Sequence, residues 1–203
     1  GENIIVPLTA KGDGTTITCR EVVDTLDFGS QLTNVPFERK LTFENNGRRP
    51  QALKWETATP DSCCTIFPAE VVLHPRTAVA ILFRVCCAAV GQLKETLSLH
   101  SRVGQERSFK NVLSLTVLAD VMTPCLQTSV DSMQFVFAYS PSKEPCLQRQ
   151  ELCLTNTTAV PLTFLLRTEL PFNLSSWEST LDPAQSYTLT VEFDPSYRDD
   201  RQS

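Results

Sequence analysis

Residues 36–50 read Pro36-Phe37-Glu38-Arg39-Lys40-Leu41-Thr42-Phe43-Glu44-Asn45-Asn46-Gly47-Arg48-Arg49-Pro50. Leu41 and Phe43 alternate with Lys40, Thr42 and Glu44. Side chains on a strand point to opposite faces in turn, so the stretch predicts a strand with one buried face. Turn chemistry follows. An asparagine side chain, Asn45 or Asn46, can bond back to the turn backbone, and Gly47 can supply a positive φ.

The same alternation recurs outward from this stretch. Val79, Ile81, Phe83 and Val85 show it, as do Leu97 and Leu99, then Leu113, Leu115 and Val117, then Leu189, Val191 and Phe193. No segment of helical length carries an apolar stripe at helical spacing, and prolines punctuate the runs. Many short strands between turns predict an all-β chain of sandwich or barrel type. Phe28, Phe43, Trp55, Phe83 and Leu115 are the expected core anchors between two sheets.

The pattern repeats with a period of roughly 110 residues. Leu41–Gly47 resembles Leu152–Thr158, Val79–Phe83 resembles Leu189–Phe193, and Val6–Lys11 resembles Leu115–Asp120. These matches predict three parts. Residues 1–16 are the terminal strand of a preceding module, 17–121 a complete module, and 122–203 a second module lacking its last strands, whose final strand has an unpaired edge. A short link around Ala119–Pro124, stiffened by Pro124, is expected between the two.

Composition narrows the function. The chain has 203 residues and a formal charge of −5, which argues against nucleic acid as a partner. No apolar run approaches a membrane span. Of the eight cysteines, Cys63-Cys64 and Cys86-Cys87 are vicinal. With no C-x-x-C and only His74 and His100, no metal set is expected, and the thiols are expected to be reduced and buried. Alternation from Val85 places Cys87 inward and Cys86 outward. Asn156 and Asn173 head N-x-[ST] sequons. Neither histidine falls in a catalytic motif; His74 lies in a link and His100 ends a strand on its polar side. Gly12-Asp13-Gly14 is only a fragment of a phosphate-loop pattern, and the Asp199-Asp200 pair lacks calcium-loop spacing. No enzyme activity, cofactor or small-molecule substrate is expected.

Leu26-Asp27-Phe28-Gly29, the strand ending Asn45-Asn46-Gly47, the aromatic strand Leu53–Glu56, the link from Phe67-Pro68 to Leu73-His74-Pro75, the strand Leu82–Val85 and Val90-Gly91 together resemble an ASH domain. This module of ciliary and centrosomal proteins is related to the MSP and PapD folds. In the second module Thr158 replaces the turn glycine and Met133-Gln134-Phe135 replaces Asp-Phe-Gly, departures that bear on the turn geometry rather than the fold class. The resemblance implies tandem immunoglobulin-like (MSP/PapD-type) β-sandwiches. It also implies a scaffold role in the axoneme and central apparatus of motile cilia, with axonemal proteins or tubulin as partners. Asn46, Gly47, Arg48 and Arg49 form the candidate protein-contact loop, because guanidinium groups suit carboxylate partners. Two other readings are a peptide-binding module acting by β-augmentation, with Ile4–Ala10 as a possible donor strand, and an extracellular adhesion-type sandwich with glycans and disulfides.

Overall fold

The computed structural model describes residues 15–21, 24–138, 140–142 and 144–197. The expected terminal strand before Thr15, the Gly12–Gly14 turn and the Asp199-Asp200 pair lie outside the described residues. The chain divides into two compact units, the first ending at Val121 and the second beginning at Met122.

Unit 1 contains β1 (Ile17–Cys19), β2 (Thr25–Leu32), β3 (Phe37–Asn45), β4 (Gln51–Thr57), β5 (Cys64–Phe67), β6 (Glu70–Leu73), β7 (Ala78–Val85), β8 (Gly91–Val103) and β9 (Lys110–Met122). They form two sheets, ordered β1-β3-β7-β5 and β2-β9-β8-β4-β6. The alternating residues set the register. Leu41 lies opposite Ile81 and Phe43 opposite Val79 in the first sheet. In the second, Trp55 lies opposite Leu99 and Leu97 opposite Leu115.

The inward faces meet in one core. Trp55 packs edge-on to Phe43 at 5.4 Å and to Phe83 at 5.0 Å between ring centroids, so aromatic contacts join the two sheets. Phe43, Phe83 and Leu115 are buried, with Leu26, Leu97, Leu99 and Val117 beside them. Burial of each such side chain contributes about 1.5–3 kcal/mol. Phe28 differs from its expected place: Leu26 fills the core from β2, and Phe28 is only partly buried against it. Its ring packs on Phe37 at 4.9 Å and lies under the Arg39 guanidinium at 5.2 Å.

Several boundaries also differ. The expected link from Phe67 to Pro75 contains β6, which pairs with β4. Residues 119–122 are the end of β9, held against β8 through Gly91↔Val121, rather than a linker. β8 continues past His100 to Val103, with a register shift at Leu99/His100; long cross-strand pairing outweighs the polar residues that suggested an end.

Unit 2 contains β10 (Leu126–Thr128), β11 (Gln148–Asn156), β12 (Leu162–Leu165), β13 (Phe172–Leu174), β14 (Glu178–Leu181) and β15 (Ser186–Phe193). Its first sheet, β10-β11-β15-β13, repeats the order β1-β3-β7-β5 of unit 1. β12 and β14 form a separate two-stranded sheet. The last strand, β15, is not an edge, contrary to expectation: β11 flanks it on one side and β13 on the other.

Candidate functional site

The turn after β3 is organised by one side chain. Asn45 is fully buried. Its Nδ2 donates to the carbonyls of Arg49 at 2.8 Å and Leu73 at 3.0 Å. Its Oδ1 accepts the Gly47 N–H at 2.9 Å. The carboxamide thus replaces the cross-strand partners these backbone groups lose where β3 ends, which their burial requires. The backbone closes the same corner, with Arg76 N–H donating to Asn45 O and Asn45 N–H to Thr77 O. Arg76 takes a positive φ of 60°.

Unit 2 builds the same corner. Asn156 is fully buried, and its Nδ2 donates to Val160 O and Leu181 O, both at 2.9 Å. Its Oδ1 accepts the Thr158 N–H at 2.9 Å. Ala184 stands in for Arg76, with φ 61° and its N–H on Asn156 O. Asn156 is therefore no glycan acceptor in the folded chain, because both hydrogens of its amide are committed inside.

Gly47 does not have the role the sequence suggested. Among the described residues the positive-φ glycines are Gly29, Gly91 and Gly104. A Cβ on Gly47 would lie 2.5 Å from Thr16 Oγ1 and 2.9 Å from Asn45 Oδ1. The residue is small because Thr16 approaches it, not because the backbone is left-handed. Thr158 explains the exchange in unit 2: its own Oγ1 donates to Asn156 Oδ1 at 2.6 Å, the job that Thr16 Oγ1 performs for Asn45. The turn geometry survives because the hydroxyl is moved onto the turn itself. The Asp-Phe-Gly signature has a similar local cause. Asp27 Oδ1 accepts the Gly29 N–H at 2.8 Å, and Gly29 adopts φ 63°.

Behind the turn runs a polar chain, buried at Gln51 and Ser101. Ser101 Oγ donates to Gln51 Oε1 at 2.6 Å, and Gln51 Nε2 donates to Thr16 Oγ1. It forms the floor of an open cleft of about 410 Å³, walled by Arg48, Arg49, Glu106 and Lys110. Lys110 pairs with Glu106 at 3.7 Å. Arg48 and Arg49 are exposed, and among the described residues neither guanidinium has a carboxylate partner. Arg49's carbonyl is fixed by Asn45, so the arginine pair is carried on a rigid turn. Asn46 is tied to β1, its Nδ2 donating to Thr18 Oγ1 at 2.8 Å. Thus the structure groups Gly47, Arg48 and Arg49 at the cleft and sets Asn46 aside. The sequence did not reveal Thr16, Gln51 and Ser101. Thr16 and Ser101 lie far along the chain from the turn, and none of the three carries a local motif.

The vicinal cysteines meet at the far end of the first sheet. Cys86 N–H donates to Cys63 O at 3.1 Å. Cys87 is buried and Cys86 exposed, as alternation from Val85 required. Cys86, Cys125 and Cys146 are exposed, which corrects the expectation of uniformly buried thiols. Burial first, then the nearby Glu95 carboxylate, pushes the Cys64 thiol up to about 12. Burial and the Cys63 contact do the same for Cys87, also to about 12. Both are therefore neutral thiols rather than nucleophiles. Among the described residues no three His, Cys, Asp or Glu side chains converge as metal ligands.

No protein-family model matches the chain. It is 21% identical over 240 aligned residues to hydrocephalus-inducing protein (hydin) of Mus musculus, and 23% over 239 to its Homo sapiens homolog. Each alignment covers 96% of this chain but 5% of the relative. Among solved structures, the ASH/PapD-like domain of human CEP192 (PapD-like domain 7) superposes with a TM-score of 0.50 at 12% identity. That match covers 60% of this chain and 95% of that domain. The described residues are all-β with the ASH/PapD-like immunoglobulin-type fold, and the chain is similar in sequence to a segment of hydin.

Proposed function

We propose that the chain is a non-catalytic structural segment of a multi-module ciliary protein. It works in the axonemal central apparatus of motile cilia and presents loops and strand edges to partner proteins. The observation that carries this reading is the duplicated corner. Two successive units fix their turns with the same buried asparagine network, a device for holding loops in place rather than for chemistry. Similarity to hydin over nearly the whole chain supports the ciliary setting. The Arg48-Arg49 pair is the contact point, directed at carboxylate-rich partners such as the acidic surface of tubulin. Nucleic acid, membrane, small-molecule substrate and cofactor have no part in it.

The test is a pull-down from detergent-extracted motile-cilia axonemes with the whole chain as bait. Recovery of central-apparatus proteins or tubulin is expected, and Arg48→Glu/Arg49→Glu should abolish it. Recovery no better than with an unrelated sandwich would refute the reading. The adhesion alternative loses one of its two sequons, since Asn156 is buried. Titration of eight reactive thiols in the denatured chain would exclude it altogether.

A further inference from the structure

The vicinal cysteines gather where β5 begins and β7 ends, and unit 2 builds the same corner without them. In unit 1 the pair Cys64↔Val85 ends the β5–β7 ladder. Just beyond it, Cys86 N–H donates to Cys63 O at 3.1 Å. In unit 2 the pair Phe172↔Phe193 ends the β13–β15 ladder. Just beyond it, Asp194 N–H donates to Pro171 O at 3.0 Å. Register therefore puts Pro171, Asp194 and Pro195 where unit 1 has Cys63, Cys86 and Cys87. The same backbone bond forms with no thiol present, so closing the corner does not account for the cysteines.

Cys63 and Cys87 are the pair whose side chains come together. The backbone of Cys63 faces Cys86, yet its side chain packs on the core that includes Cys64 and Cys87. There its thiol touches the thiol of Cys87. Both residues are held by their main chains. Cys63 N–H donates to Glu95 Oε1 at 2.9 Å, a carboxylate of β8 that also accepts from Ser62 Oγ. Asn34 N–H donates to Cys87 O at 2.8 Å. Access differs between the two. Cys87 is 2% exposed, whereas Cys63 is only partly buried. One thiol of the touching pair is open to a small solute and the other is not.

We infer that Cys63 and Cys87 form a reversible disulfide within unit 1 when the chain meets hydrogen peroxide. The Cys63 sulfur attacks the peroxide and the O–O bond breaks. One oxygen stays on the sulfur as a sulfenic acid, and the other leaves as water with the Cys63 proton. The Cys87 sulfur then attacks that of Cys63. The S–S bond forms, the S–O bond breaks, and the hydroxyl leaves with the Cys87 proton as a second water. Two thiols thus give up two electrons, and one peroxide becomes two waters. A thiol reductant reverses the bond by exchange. Contact between the sulfurs favours the second step over further oxidation of Cys63. The bond has a structural effect. β5 is the outer strand of its sheet among the described residues, paired with β7 only from Cys64↔Val85 to Phe67↔Leu82. Oxidation staples that strand to the end of β7. The inference stands apart from the ciliary setting.

The test treats the whole chain, in a Cys125→Ser/Cys146→Ser background that limits links between chains, with hydrogen peroxide. The intact mass should fall by two hydrogens, and fragmentation of the digested chain should show Cys63 joined to Cys87. Dithiothreitol should restore both thiols. Cys86→Ser should keep the link, and Cys63→Ser, at a partly exposed position, should abolish it. Amide exchange at residues 64–67 should slow at least about tenfold in the oxidised chain. A link lost in Cys86→Ser or retained in Cys63→Ser would overturn the inference. So would a Cys63 that ends as sulfinic acid beside an unreacted Cys87, or a formed link that leaves exchange at 64–67 unchanged.

Discussion

Replacing Asn45 by alanine takes the side-chain partner from three backbone groups: the buried carbonyl of Leu73, and the part-buried carbonyl of Arg49 and N–H of Gly47. A buried backbone group left unsatisfied costs about 1–3 kcal/mol. The three losses share one side chain and do not add fully, so Asn45→Ala should destabilise unit 1 by about 3–5 kcal/mol. At a urea slope of about 2 kcal/mol/M that is a midpoint shift of about 2 M. The assay is urea unfolding followed by Trp55 fluorescence, in a Trp177→Phe background so that unit 2 is silent. Asn45→Asp sharpens the test. It keeps the shape but presents a buried carboxylate to two carbonyls, so it should destabilise more at neutral pH than at a pH low enough to protonate it. A loss below about 1 kcal/mol for Asn45→Ala would refute the reasoning, because water or a shifted turn would then be serving those groups. Asn156→Ala should act the same way on unit 2.

Trp55→Ala should cost unit 1 about 3–5 kcal/mol, from lost burial and the cavity between Phe43 and Phe83; a loss below about 1 kcal/mol in a denaturant titration would place the side chain at the surface. Gly47→Ala should destabilise through collision with Thr16 Oγ1, and Thr16→Gly should recover part of the loss; a left-handed backbone would show no such rescue, so unfolding of the single and double variants decides between the causes. In the native chain a thiol reagent should label Cys86, Cys125 and Cys146 first and spare Cys64 and Cys87, as mass spectrometry of the labelled peptides will show. Cys64 and Cys87 titrate higher folded than unfolded, so their contribution is fully present below the ordinary thiol range and is lost as pH rises toward about 12. Alkaline unfolding of Cys64→Ala/Cys87→Ala should accordingly fall less steeply over that range.

The strands of unit 1 were legible because burial on one face writes itself into every second residue, as in Leu41–Phe43 and Val79–Val85. The repeat was legible because each Asn-turn lies next to such a strand. The reason for Gly47 was not, since its crowding neighbour, Thr16, belongs to a different strand region and no local pattern links them. Phe28 was misplaced because alternation fixes a face but not how far along a strand the core extends. The unpaired edge in unit 2 was expected at β15, yet β11 and β13 flank that strand: chain order says which strand comes last, whereas hydrogen bonding decides which strand lies outside. Residues 133–138 show the converse, a strand-like alternation that forms no ladder among the described residues.

The shortness of β1 and β10 has a mechanical consequence. Each is three residues long, and each is the first strand of its unit among the described residues. β1 is held to β3 by Ile17↔Asn45 through Cys19↔Phe43, whereas β9 is held to β8 from Gly91↔Val121 to Ser101↔Lys110. Tension applied along the chain will therefore peel the leading strand of a unit before it reaches the long ladder. The asparagine corner keeps its bonds to Leu73, Arg49 and Gly47, all outside β1, after that strand has left. Each unit thus has a compliant first strand in series with a stiff body, and a single-molecule trace in which β9 gave way first would contradict that order. A tandem array of such units stretches a little under load and springs back without unfolding its cores.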